Sequence, residues 1–66
     1  MKNKWYGPAE LCDICDGVLA KVFIDGKTHK GPWAVMCDPC HRLHGVGIGL
    51  GKGQKYNAKT RVKLEG

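Results

Sequence analysis

The sequence predicts a small α+β fold stapled by a metal ion, and three observations predict it. Two Cys-x-x-Cys pairs, Cys12-Asp13-Ile14-Cys15 and Cys37-Asp38-Pro39-Cys40, are separated by 21 residues. A run dense in β-branched and aromatic residues lies between them, and a short helical pattern begins on the second pair. The chain has 66 residues, room for one domain at most. A core drawn from so few residues is marginal without a disulfide, a metal or a partner.

The cysteines come first in the argument because they supply the staple. Two residues between cysteines let a tight knuckle aim both sulfurs at one ion. Two such knuckles complete the tetrahedral S₄ set that Zn²⁺ favours in closed structural sites. Cys12, Cys15, Cys37 and Cys40 are therefore the expected ligands and Zn²⁺ the expected cofactor. Gly17, just past the first knuckle, suits the turn that leads the chain away from the metal. Other readings of the same cysteines are weaker. Cys37 to His41 matches the C-x-x-C-H pattern of haem attachment, but leaves the first pair unexplained. A thioredoxin-like redox pair needs a βαβ context, and two disulfides need an oxidising compartment. His41 or His44 could replace one thiol, although four thiols already suffice. His29 is expected on an exposed turn.

Residues 18–24, "VLAKVFI", read as a strand. Asp25-Gly26 is a short hairpin signal, with the loop extending over residues 25–31. "PWAVMC" is the return strand, Pro32 standing at its start where the missing N–H matters least. Val22, Phe23, Trp33 and Val35 are the core candidates. In "CDPCHRLHG", Pro39 near the first helical position and Gly45 at the C-cap bracket about two helical turns. The order of knuckle, hairpin and ligand-bearing helix is that of a treble-clef finger, the zinc ribbon being the alternative.

Next comes "GVGIGLGKGQKY", with glycine at every second position from Gly45 to Gly53. A phosphate cradle needs a strand before the glycines and a helix after them, and neither pattern is present. Val46, Ile48 and Leu50 alternate with the glycines, so residues 46–50 are expected as an extended segment. Its aliphatic face would pack on the domain, and its bare face would meet an aromatic such as Trp5 or Trp33, or a partner. "TRVKLEG" is expected as a last short strand with Val62 and Leu64 inward, and Trp5 and Tyr6 as packed aromatics. The expected organisation is an N-terminal segment over residues 1–11, a Cys₄ finger over 12–45, and a Gly-rich extended arm with a basic tail over 46–66.

The formal charge is +5 and unevenly distributed. Residues 1–33 carry a net +1 and residues 34–66 a net +4. Four thiolates (−4) around one Zn²⁺ (+2) lower the total from +5 to +3. A basic C-terminal half points to an anionic partner. Arg42, Lys52, Lys55, Tyr56, Lys59, Arg61 and Lys63 are the expected contacts, the cations for phosphate and Tyr56 for stacking on a base. No secretory signal and no apolar run of about 20 residues is read in the sequence. A cytoplasmic location without membrane insertion is therefore expected.

Two family resemblances attach to these motifs. The run "DGKTHKGPWAVMCDPCHRLHGVGIGLGKGQKY", with "CDIC" upstream, resembles small zinc-binding proteins encoded by bacteriophages. It covers roughly residues 12–56 and implies a phage or prophage origin and a treble-clef or ribbon fold. Cys12, Cys15, Cys37, Cys40 and His41 also resemble the zinc-binding frame of HNH endonucleases, and "HKGP" at residues 29–32 is similar to that family's first His segment. Only four residues separate Pro32 from Cys37, and no Asp or Asn stands at the middle position. This leaves a degenerate or minimal HNH-like nuclease as the alternative function. The leading expectation is a non-enzymatic zinc module that binds nucleic acid or a host protein and takes no small-molecule substrate.

Overall fold

β1 (Val22–Lys27) forms where Val, Phe and Ile follow one another, residues that fit a pleated, half-buried surface. The computed structural model describes residues 4–7 and 9–66. Residues 1–3 and Pro8, part of the expected N-terminal segment, lie outside the described residues. β1 pairs antiparallel with β2 (Trp33–Met36) on one side and with β3 (Gly53–Asn57) on the other. β4 (Lys63–Glu65) adds to β3 across a bulge at Lys55/Tyr56, giving the strand order β2-β1-β3-β4. The helix α1 (Asp38–His44) follows β2 directly and packs against β1. Among the described residues the result is a four-stranded antiparallel sheet with one short helix, an α+β fold.

The hairpin turn is not at Asp25-Gly26, because β1 runs through both residues to Lys27. The chain reverses over residues 28–31 instead. There the Thr28 amide and hydroxyl both donate to the Pro32 carbonyl, at 3.0 and 2.8 Å. Gly26 serves strand packing rather than turning. It lies opposite Gly53, and a side chain on it would meet the Lys52 carbonyl at 3.2 Å.

The C-terminal third is not an arm. Gln54, Lys55 and Tyr56 belong to an inner strand, and Lys63 to Glu65 form the sheet edge. Residues 46–50 are not a half-buried strand either. Gly47 and Gly49 have φ of +128° and +138°, so the backbone coils where a strand would stay extended. The amides of Lys52 and Gly53 return to the Gly49 carbonyl at 3.0 Å each. Leu50 is carried out on this turn and is 97 % exposed. Alternation of glycine and aliphatic residues imitates a strand, but the positive φ values use glycine's freedom in a turn.

The core gathers Phe23, Met36, Tyr56, Leu19, Ala9 and Ala58 with Cys12 and Cys40. Phe23 stacks on Tyr56 at 5.3 Å between centroids, and Trp5 meets both rings at 5.6 and 5.5 Å. Phe23 and its neighbour Ile24 are both fully buried. Successive strand residues face opposite ways, so β1 is covered on both faces. Of the expected core, Phe23 is central, Val22 is half-buried, Val35 packs at the margin, and Trp33 is 46 % exposed. Val62 and Leu64 are exposed rather than inward, since they lie at the three-residue edge strand β4 with little to cover it, and Tyr6, expected as packed, is exposed as well. Among the described residues, no helix is long and apolar enough to cross a membrane.

Candidate metal centre

Each thiol reaches the centre from a defined local structure. The first knuckle is closed by backbone: Asp16 N–H donates to Cys12 O at 3.0 Å and Cys12 N–H to Gly17 O at 2.8 Å. Leu11 and Val18 then pair as an isolated bridge, bringing the strands of the knuckle together. Cys37 caps the N-terminus of α1 in extended backbone, and Pro39 stands in the first turn. The helix then brings Cys40 back beside Cys37, buried against the core. Gly45 ends α1 as expected, but not through a left-handed residue, since its φ is −82°. It is glycine because a Cβ there would stand 2.3 Å from Cδ2 of His41.

The four Sγ atoms lie within 4.8 Å of one another, and Cys15 Sγ is 3.8 Å from Cys37 Sγ. Metal–sulfur bonds of about 2.3 Å in a tetrahedron place the sulfurs about 3.8 Å apart, so the donor set is spaced to hold one metal ion. Amides of Ile14 and Cys37 each point at Cys12 Sγ, at 3.4 Å. Such donors stabilise a thiolate. Burial raises the Cys12 thiol, but the amides of Cys15, Cys37 and Ile14 and the Cys40 thiol outweigh it. Together they bring Cys12 down from 9.0 to about 7. Cys40 moves the other way, pushed up to about 12 by burial, by hydrogen bonding with Cys37, Cys15 and Cys12, and by the charge on Cys12. At Cys37 the Cys40 amide favours the thiolate, yet burial and the Cys15 and Cys12 thiols leave it raised. The Cys12 thiolate forms readily, while Cys37 and Cys40 resist. Four thiolates this close require a cation among them.

A residue outside the expected set ties the centre to the sheet. Asp13, inside the first knuckle, donates its amide to Val35 O and accepts the Val35 amide on its carboxylate, both at 2.8 Å. The knuckle is thereby clipped to the outer edge of β2, whose next residues lead into Cys37. The signal was in the sequence, since both knuckles carry Asp after their first cysteine. Asp38 does something else, pairing with Arg42 at 2.9 Å along α1.

The remaining expected contact residues do not converge. Tyr56 is buried with its ring on Phe23, so that face is closed to a base. Lys55 lies 3.8 Å from Glu65, and Arg61 is held over Phe23 and donates to Ala9 O at 3.4 Å. Lys52 and Lys59 are exposed at opposite ends of the sheet, and Lys63 is half-buried in β4. His41 Nε2 lies 3.0 Å from Gly47 O, bracing the loop after α1. The cluster of possible ligand atoms among the described residues comprises the four cysteines alone. No family model, curated protein or solved structure matches this chain, so what the centre does is argued from its geometry.

Proposed function

We propose that the protein is a non-catalytic zinc module of treble-clef type, folded only with Zn²⁺ bound, that docks on nucleic acid through its unpaired lysines. The observation that carries this reading is the convergence of four thiols from two chain segments at tetrahedral spacing. All-thiolate donor sets suit Zn²⁺ in structural sites, with no position left open for water or substrate. A hairpin between the knuckles and a helix bearing Cys37 and Cys40 at its start favour the treble clef over the ribbon. Structural zinc contributes on the order of 10–16 kcal/mol, comparable to the whole stability of a typical domain, about 5–15 kcal/mol. Removing the metal therefore unfolds the chain.

Nucleic acid is the favoured partner because Lys21, Lys27, Lys30, Lys52 and Lys59 are exposed and take no part in the ion pairs among the described residues. Exposed Leu43 and Leu50 favour a second reading, a host protein. The resemblance of residues 12–56 to small phage zinc-binding proteins supports reading either role as that of a phage accessory protein. The engagement of His41 by Gly47 O supports a non-catalytic reading over an HNH-like nuclease.

Two measurements test this. Native mass spectrometry should give one zinc per chain, and chelation should collapse amide dispersion; a dispersed spectrum after chelation refutes the structural role. Titration of labelled DNA should show affinity falling steeply with added salt, as counterion release requires. Undetectable binding at low salt removes the nucleic-acid reading.

A further inference from the structure

A cleft at the C-terminal end of α1 has a volume of about 290 Å³ and is lined by Ile14, Thr28, His29, Lys30 and His44. Its walls come from the first knuckle, the β1–β2 turn and the C-terminus of α1. They are joined by backbone: His29 N–H donates to His44 O at 2.9 Å, and Val46 N–H to Lys27 O at 3.1 Å. The turn itself is fixed by the Thr28–Pro32 bonds and by Gly31 N–H to Thr28 O at 2.9 Å. The two imidazoles and the Lys30 ammonium are thus carried on a braced frame, and ordering them for a ligand costs little backbone entropy.

The lining contains no carboxylate. Asp13, adjacent to Ile14, has its carboxylate turned onto the Val35 amide. Lys27 and Lys52 stand at the same end, joined by Lys27 N–H to Lys52 O at 2.8 Å. Two negative contributions compete with the three lysines: the metal centre's net −2 for Zn²⁺ with four thiolates, and the carbonyl end of α1, where His44 O is already taken by the His29 amide. Thr28 spends its hydroxyl proton on Pro32 O, which leaves Lys30 and the two imidazoles as donors, and an imidazole offers an N–H even when neutral. The volume lies at the lower bound of drug-sized pockets, roughly 300–1,000 Å³, room for one phosphate group and the atoms bonded to it.

We propose that the cleft between His29, Lys30 and His44 is a phosphate-binding site. That its phosphate belongs to a nucleic-acid backbone rests on the function proposed above; the cleft's chemistry does not. The test is amide and imidazole NMR of the zinc-loaded protein, titrated separately with inorganic phosphate and with a short single-stranded oligonucleotide. Phosphate should move the resonances of Ile14, Thr28, His29, Lys30 and His44 first. Lys30→Ala and His29→Gln should each weaken phosphate binding severalfold, while Lys59→Ala, at the other end of the sheet, leaves it unchanged. With the oligonucleotide, Lys30→Ala should lower the salt-dependence slope by about 0.7. Shifts spread evenly over all lysines, or cleft variants that bind phosphate as tightly as the parent, overturn the site. Oligonucleotide binding that bypasses these five residues overturns the assignment of the site to a backbone phosphate, while leaving the nucleic-acid reading standing. Phosphate held in the cleft with no oligonucleotide binding upholds the site and rejects that reading.

Discussion

Asp13 carries more of the metal centre than its exposed position implies. Its two bonds to Val35 set the first knuckle against β2 and so against Cys37. Removing a partner that orients metal ligands typically costs 10–100-fold in affinity. Asp13→Ala should therefore weaken Zn²⁺ binding by about tenfold in a competition titration with a chromophoric chelator, and Asp16→Asn, outside the clip and suited to the left-handed backbone there (φ +61°), should not. Asp25 shows the opposite behaviour, a carboxylate the fold tolerates rather than uses. Burial, and after it the charge of Asp13, raises its carboxyl above 3.8. The folded chain thus holds that proton more tightly than the unfolded chain. Asp25's contribution to stability is full below about pH 3.8 and is lost as pH rises through the raised folded value. Zinc-loaded Asp25→Asn should have a higher denaturation midpoint than the parent at pH 7, with the gap narrowing as the pH falls toward 3.8. Equal midpoints at pH 7 would contradict this account.

Among the elements, the glycine-rich loop separates what a pattern can reveal from what it cannot. A Cβ on Gly53 would meet three backbone atoms: Gly47 O at 3.0 Å, Gly26 Cα at 3.1 Å and Asp25 O at 3.3 Å. Backbone cannot move aside as a flexible side chain can, and overpacking of this kind costs about 1–3 kcal/mol. For a domain of this size each kcal/mol shifts the melting temperature by about 4–8 °C. Gly53→Ala should lower it accordingly in a thermal melt, whereas Leu50→Ser, at an exposed tip, should leave it within the scatter of surface changes, about 0.5 kcal/mol. The helix and its borders were legible because Pro39 and Gly45 act locally. The arm was misread for the converse reason. Val46, Ile48 and Leu50 carry strand periodicity, and only the long-range pairing of β3 with β1 reveals that the strand begins at Gly53. The Asp25-Gly26 turn failed in the same way, since Gly26 answers to Gly53 across the sheet rather than to its neighbours.

At the scale of the whole molecule, the metal donors were readable because spacing alone brings each pair together, and the S₄ chemistry needs no further context. The surface was less readable. Composition placed the positive charge in the C-terminal half, but folding buries Tyr56, pairs Lys55 and engages Arg61. It then regroups Lys27, Lys30 and Lys52 from both halves at one end. Sequence order does not encode such regrouping; topology does. The position of β2 as an outer strand has a further consequence. Both main-chain groups of Val35 are occupied by the first knuckle, which a bound cation would tie to Cys37 and Cys40. Once stripped, the chain would lose that cover and offer an unsatisfied rim, with Trp33 beside it, to other copies, the route by which sheets grow into aggregates. The ion would then guard solubility as well as shape, and light scattering during demetallation should rise in proportion to protein concentration.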